Sequence, residues 1–308
     1  MNQLRLAVFA DKEVGYRTLE FLKRFYAEDL VAVFLSEGSE IRCRVIELGI
    51  DRNSIFSNAV LYNKNTINLL QNLRLDYILL AWWPYIIKGQ ILSIPKKGVL
   101  NFHPSFLPYN RGKHYNFWTL VEDTPFGVSI HFVDEEIDSG DIVFQKRVEK
   151  NWEDTGESLY QKAQQAMIEL FAENYKNLVA NKFTRITQNP GTGSFHYAKE
   201  LEPASKINLN TVYSVKDLLN LLRARVFPPY PSCWLYNKKR KFNVIVKVKQ
   251  IHQDQLPNDC TQIMLDGNYK AKELLPTCDE EGLTEKCLCF LDSGELYQAL
   301  LKVFPEEI

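Results

Sequence analysis

The chain is 308 residues long, 45% hydrophobic and 24% charged, the balance of a globular protein with room for one large domain and a smaller one. Its 37 basic and 38 acidic side chains leave a net charge of −1, so no bulk field draws it to nucleic acid or an anionic membrane, and any phosphate must be held by a local cluster. No apolar run approaches the ~20 residues that cross a bilayer, and MNQLRLAVFA runs straight into a strand without a secretory apolar region, so the expected location is the cytoplasm.

LRLAVFA (4–10) reads as a buried strand, and 11–23 follows with helical spacing at Val14, Leu19 and Leu22. A second strand, LVAVFLS (30–36), a helical stretch near 40–49, a short helix over 65–74 and a third strand, DYILLAWW (76–83), continue the alternation. Strands alternating with helices predict an α/β fold, a Rossmann-like, doubly wound, mostly parallel sheet with crossover helices. The turn after the first strand, ADKEVG, carries one glycine where a dinucleotide fingerprint needs three, which excludes an NAD-dependent enzyme.

An apolar run at 98–100 then ends in Asn101 and His103, one residue apart, so both side chains leave the same face of an extended backbone. Pro104, Pro108, Asn110 and Gly112 predict a rigid loop. Alternation resumes at Val128, Ile130 and Phe132, the chain turns over 134–140, and a strand follows at 142–144. A long helix opens at 154–158 and ends near Asn181, its apolar stripe formed by Leu159, Ala163, Ala166, Ile168, Leu170, Phe171 and Leu178.

NPGTGSFHYAKELEP marks the exit from the first domain, giving expected domains of 1–205 (catalytic) and 206–308 (β-rich). The second part opens with a helix over 214–225, stopped by FPPYP. Strands follow in CWLYN and FNVIVKVKQI, with KKRK (238–241) as the turn between them, and shorter ones are expected near 262–265, 269–273 and 287–291 before LYQALLKV. The six cysteines (43, 233, 260, 278, 287, 289) form no C-x-x-C pair, so reduced thiols are expected and no metal site.

Asn101, His103 and Asp138 suit one chemistry when taken together. An amide donates to an oxygen that gains charge as a carbonyl becomes tetrahedral. An imidazole takes a proton from an attacking amine or returns it to a leaving nitrogen. A carboxylate fixes that imidazole and stabilises its charged form. With no G-x-S-x-G, the set points to direct acyl transfer onto a nucleophile supplied by the substrate. Each residue also has a plainer reading: His103 as a hydrogen-bonded strand end, Asp138 before Ser-Gly as a turn residue, His131 as packing.

Asn101, His103, Ser105, Leu107 and Pro108 spell N-x-H-x-S-x-L-P, and His131 precedes Asp138 by seven residues in HFVDEEIDSGDI. In residue type and spacing, over about 75–150, this resembles the formyltransferase family that uses N10-formyltetrahydrofolate. LPYNRGKHYNFW (107–118), residues 193–196 and residues 223–231 are similar to the branch that formylates amino sugars carried on a nucleotide diphosphate. The resemblance implies the formyltransferase fold, N10-formyltetrahydrofolate as cosubstrate, and Asn101, His103 and Asp138 as the catalytic set.

It further implies folate contacts from Trp82, Trp83, Pro84, Tyr85, Ile86, Ile87, Asp134 and Ile137. Contacts to a UDP- or dTDP-linked amino-deoxyhexose are expected from Tyr109, Asn110, Arg111, Lys113, Asn116, Arg223, Arg225, Phe227 and Tyr230. For the last four, the cation-rich end of a helix is an equal explanation, and KKRK is most simply a solvated turn. The β-rich tail is a candidate homodimer edge. Methionyl-tRNA is the competing acceptor, although residues after 205 are nearly charge-balanced, which disfavours it. Glycinamide ribonucleotide is a weaker competitor, and a folate- or nucleotide-sugar-sensing module without activity is opposed by the intact trio.

Overall fold

The computed structural model describes residues 3–189 and 191–246, together with short strands at 277–278 and 284–285. The strands expected near 262–265, 269–273 and 287–291, the end of FNVIVKVKQI, LYQALLKV, Cys260, Cys287 and Cys289 lie outside the described residues. The chain divides into two compact units, Met1–Lys150 with Glu157–Leu201, and Asn151–Gly156 with Glu202–Ile308. Among the described residues no helix is long and apolar enough to cross a membrane.

The first unit is built on a seven-stranded sheet in the order β3-β2-β1-β4-β5-β7-β8. The runs LAVFA, LVAVFL and YILLA become β1 (Leu6–Ala10), β2 (Leu30–Leu35) and β4 (Tyr77–Ala81), and β1 and β4 are buried along their whole length. This is why they are continuously apolar: helices cover parallel strands on both faces. Helices α1 (Lys12–Phe25), α2 (Arg42–Glu47) and α3 (Lys64–Asn72) alternate with these strands and with β3 (Ile55–Ser57), a short strand without a strong sequence signal. β5 (Gly98–His103) runs parallel to β4, whereas β7 (Gly127–Phe132) pairs antiparallel with both β5 and β8 (Ile142–Arg147).

Phe9, Phe34, Trp83, Ile87 and Val99 share one core cluster, and Val133 packs against it. Removing each such large side chain from water contributes on the order of 1.5–3 kcal/mol. Gly15 lets α1 pack tightly against the end of β1, since a Cβ there would lie 2.9 Å from the Ala10 carbonyl carbon. The long helix α5 (Gly156–Val179) buries Leu159, Ala163, Met167, Phe171 and Tyr175, so Met167 rather than Ile168 completes its apolar stripe.

Two elements depart from the expected loops. A short helix, α4 (Tyr115–Val121), follows the loop after β5. Its sequence, YNFWTLV, is rich in aromatic and β-branched residues of low helix propensity, so tertiary packing decides it. The pieces β6 (Arg111–Gly112) and β9 (Phe195–His196) pair in parallel, joining that loop to a segment more than eighty residues away.

α6 (Leu201–Ala204) begins at the last residue of the first unit, and in the second unit α7 (Val215–Ala224) follows, whose cap residue Ser214 accepts the Asp217 N–H at 3.0 Å through its hydroxyl. A hairpin follows, β10 (Cys233–Asn237) against β11 (Arg240–Val244), turning at Lys238 in the left-handed region (φ 53°). β12 (Thr277–Cys278) pairs antiparallel with β13 (Thr284–Glu285). Cys233 is buried and Cys43 exposed, both as free thiols.

Candidate active site

Register builds the site. In the antiparallel β5–β7 pair, Asn101 stands opposite His131 and His103 opposite Ser129. Directly paired residues share a face, and so do residues two apart, so four polar side chains gather on one side of the sheet. Ser129 anchors the loop after β5: its hydroxyl accepts from the Leu107 N–H (3.1 Å) and Gln145 Nε2 (2.9 Å) and donates to the Ser105 carbonyl (2.8 Å).

Asp138 reaches this face from the 134–140 turn, with its own backbone left-handed at φ 54°. Asn101 Nδ2 donates to its Oδ1 at 3.2 Å and the Gly112 N–H to its Oδ2 at 2.9 Å. His103 Nδ1 lies 3.4 Å from Oδ2, and His131 Nε2 3.6 Å from Oδ1. Glycine is required twice here. A Cβ on Gly112 (φ 88°) would sit 2.3 Å from the His196 carbonyl oxygen, and one on Gly140 would sit 2.1 Å from that of Phe132.

Hydrogen-bond partners assign the imidazole hydrogens. His103 Nε2 is 3.2 Å from the Asn110 carbonyl, which can only accept, so Nε2 carries the hydrogen and Nδ1 presents a lone pair towards Asp138. His131 Nδ1 likewise donates to the Phe132 carbonyl at 2.8 Å, leaving Nε2 to accept from Asn101 Nδ2 at 3.1 Å. The sequence marks His131 as a motif residue or as packing, without a catalytic role. Its phase in GVSIHF was legible, but its partner on β5 was not, because antiparallel pairing at that position is non-local.

Burial lowers the His103 imidazole below its ordinary value, with the nearby Asp138 charge opposing. For Asp138, burial alone would raise the carboxyl. The neighbouring His103 and His131 imidazoles and the hydrogen bond from the Gly112 N–H outweigh it and hold the group well below the usual carboxylate range. Nδ1 is therefore a vacant base beside an ionised carboxylate. Donor atoms of His103, His131 and Asp138 also fall within 4.8 Å of one another, a spacing that could hold a cation.

The other expected contacts divide by burial. Trp83 and Ile87 belong to the core cluster, which corrects their reading as ligand-facing: they anchor the segment after β4. Between them Pro84, Tyr85 and Ile86 are exposed, as are Ile137 and Asp134, the last accepting the Ser139 hydroxyl at 2.7 Å. Trp82 is left-handed (φ 60°) and meets Tyr160 edge-on at 6.2 Å.

Asn110 is fully buried, its amide donating to the hydroxyls of Thr119 (2.9 Å) and Thr124 (2.8 Å) and its Oδ1 accepting that of Ser194. Its side chain is thus spent inside the fold, and it is the Asn110 carbonyl that serves the site. Tyr109 and Arg111 are half-buried, Lys113 exposed and Asn116 buried. Arg223 is also corrected: its guanidinium donates to the Asn151 and Asp154 carbonyls and twice to Asn220 Oδ1. Arg225, buried as well, donates to the Ser205 hydroxyl at 2.9 Å and lies 3.5 Å from Glu202. Beyond it, exposed Tyr230 meets the ring of half-buried Phe227 edge-on at 5.3 Å.

Residues 24–174 match the family model described as formyl transferase, and residues 200–250 that of the N-formyltransferase dimerization C-terminal domain. The chain belongs to the formyltransferase family. Among its relatives within that family is a methionyl-tRNA formyltransferase of Thermodesulfovibrio yellowstonii, 32% identical over 183 residues, which are 59% of this chain and 57% of that protein. The chain thus spans little more than half of that relative's length. The GDP-perosamine N-formyltransferase of Brucella melitensis is 28% identical over 214 residues, 67% of this chain and 78% of that one. In structure, the formyltransferase fold is shared with a 4-N formyltransferase from Francisella tularensis at a TM-score of 0.66 and 26% identity, over 82% of this chain and 100% of that one.

Proposed function

We propose that the protein transfers a formyl group from N10-formyltetrahydrofolate to the amine of a nucleotide-linked amino-deoxy sugar, of the 4-amino-4,6-dideoxyhexose type, for surface glycan biosynthesis. The observation that carries this reading is the convergence of Asn101, His103 and Asp138, within hydrogen-bond or ion-pair distance, on one face of a formyltransferase-family sheet. The sugar acceptor is supported by the relatives named for perosamine and 4-N formylation.

The unprotonated sugar amine attacks the formyl carbon. As that carbon becomes tetrahedral, its oxygen gains negative charge, and the Asn101 amide is the donor for it. Its Nδ2 contacts both His131 Nε2 and Asp138 Oδ1, and in the reaction one of these hydrogens turns to the oxyanion. A preorganised donor of this kind lowers the barrier by about 3–4 kcal/mol. The amine's proton passes to His103 Nδ1, where Asp138 stabilises the imidazolium, and is then delivered to the departing N10 of tetrahydrofolate. One C–N bond forms, one breaks, and a single proton moves between the two nitrogens.

For the folate, the exposed apolar groups Tyr85, Ile86 (60% exposed) and Ile137 (44% exposed) supply the flat contact that a pteridine requires. Trp83 and Ile87 on one loop and Val133 on the other share a core cluster, so the two loops leave the core together. Arg111 and Lys113 are the cations beside His103 for a diphosphate. The match of 200–250 to a dimerization domain supports a homodimer.

Purified protein with N10-formyltetrahydrofolate and a panel of UDP-, dTDP- and GDP-linked amino sugars should release tetrahydrofolate with at least one sugar. Turnover with methionyl-tRNA and with no sugar would overturn the proposal in favour of the acceptor used by the 32%-identical relative.

A further inference from the structure

Asp138 is gripped at its carboxylate by side chains and the Gly112 N–H, but its backbone is left-handed and lies in an exposed turn. Something must fix that backbone if the carboxylate is to stay opposite His103. Gln188 is 8% exposed, and its Nε2 donates to the carbonyls of both Asp138 (3.0 Å) and Gly140 (2.8 Å). Both hydrogens of one amide are thus spent on the turn that carries the carboxylate. The neighbours of Gln188 bind the same stretch: Ile186 exchanges two main-chain hydrogen bonds with Ile142 (2.8 and 2.9 Å), and the Thr187 hydroxyl donates to Asp141 at 2.8 Å.

A few residues on, the same segment binds the other loop. The Ser194 carbonyl accepts the Arg111 N–H and the His196 carbonyl the Lys113 N–H, each at 3.0 Å. Between those two lies Gly112, whose N–H donates to Asp138 Oδ2. The His196 ring stacks on Trp118 at 3.8 Å, and its Nε2 lies 3.0 Å from Glu122, which seats this end. Residues 186–188 therefore hold the Asp138 backbone, and residues 194–196 hold the donor to its carboxylate.

We propose that Gln188 is a positioning residue for formyl transfer, setting the Asp138 carboxylate against His103 through the two carbonyls that flank Ser139. The kinetic part of this proposal rests on the function proposed above. A purely structural glutamine would satisfy these two carbonyls without altering the proton chemistry of His103, and this difference can be measured.

Gln188→Met keeps the length and removes the donors; Gln188→Asn is the milder variant should the first not fold. In a folded variant kcat falls roughly 10- to 100-fold, the scale on which a ~1 Å misplacement acts, with KM for the sugar nucleotide within about twofold. The His103 imidazole, followed by NMR on ligand-free protein with labelled histidine, titrates at lower pH than in the wild type, because a loosened Asp138 no longer supports its charged form. Unchanged kcat overturns the proposal, and so does a loss of kcat with a wild-type His103 titration. Should the wild type formylate no amino sugar, the function fails, yet the titration still tests whether Gln188 sets Asp138.

Discussion

Asp138→Asn preserves shape and removes the charge that stabilises a protonated His103, while His103→Asn removes the base itself. Each should lower the single-turnover rate of formyl transfer by at least ~10²-fold, as expected for loss of a general acid–base group. Wild-type turnover in either variant would exclude that residue from the mechanism. The same two groups predict acid sensitivity of the fold. Burial lowers the folded His103 value below the ordinary 6.5, and Asp138 is likewise depressed from 3.8. In both cases the unfolded chain binds its proton first as pH falls, so stability is lost below about pH 6.5 through His103 and further below about pH 4 through Asp138. Urea titrations should show that His103→Gln flattens the decline between pH 7 and 5. An unchanged slope would place the acid lability elsewhere. At this scale the sequence was informative where geometry is local. Asn101 and His103 share a face because strand side chains alternate. Asn110 was misread because its partners, Thr119 and Thr124, lie on and after a helix that the sequence did not announce. Gln188 had no signal: a lone glutamine in a loop looks the same whether it faces water or two carbonyls.

Among the elements, the continuous apolar runs made β1, β2 and β4 readable, since only strands covered on both faces can be apolar throughout. The short pieces β3, β6 and β9 were not readable. Two or three residues carry no period, and their existence depends on partners distant in the chain. A similar long-range joint secures α5. The Tyr175 hydroxyl donates to Asp29 Oδ2, while Asp29 Oδ1 accepts the Leu4 N–H at 3.1 Å, all within the buried interior. Burial together with Asp29 raises the Tyr175 hydroxyl far above its ordinary value, so it is a permanent donor. Tyr175→Phe leaves a carboxylate oxygen without that donor and should cost roughly 1.5–3 kcal/mol, the range for hydrogen bonds to charged groups. A urea midpoint unchanged at constant m-value would show that Asp29 finds another donor.

For the molecule as a whole, the decisive question is whether catalysis depends on assembly. Asn101, His103, His131, Gly112, Gln188 and Asp138 all belong to the first compact unit, as do the hydrogen bonds described above between them. The residues that match a dimerization domain, 200–250, lie almost entirely in the second unit. There Tyr236, Ile245 and Val212 are exposed apolar groups, the first on the β10 strand and the second just past β11. Large apolar side chains of this kind are what an interface between subunits covers. Light scattering after size exclusion should therefore give about twice the chain mass at micromolar concentration. Tyr236→Glu combined with Ile245→Glu should shift the protein towards monomer, because a carboxylate at an apolar interface must be desolvated without a partner. Since the groups of the proposed proton pathway all lie within one unit of one chain, the monomerised variant should keep kcat within a few-fold of the wild type. A monomer at every concentration would remove the dimer from the proposal. A dimer whose dissociation abolishes turnover would show that the second copy contributes to the site.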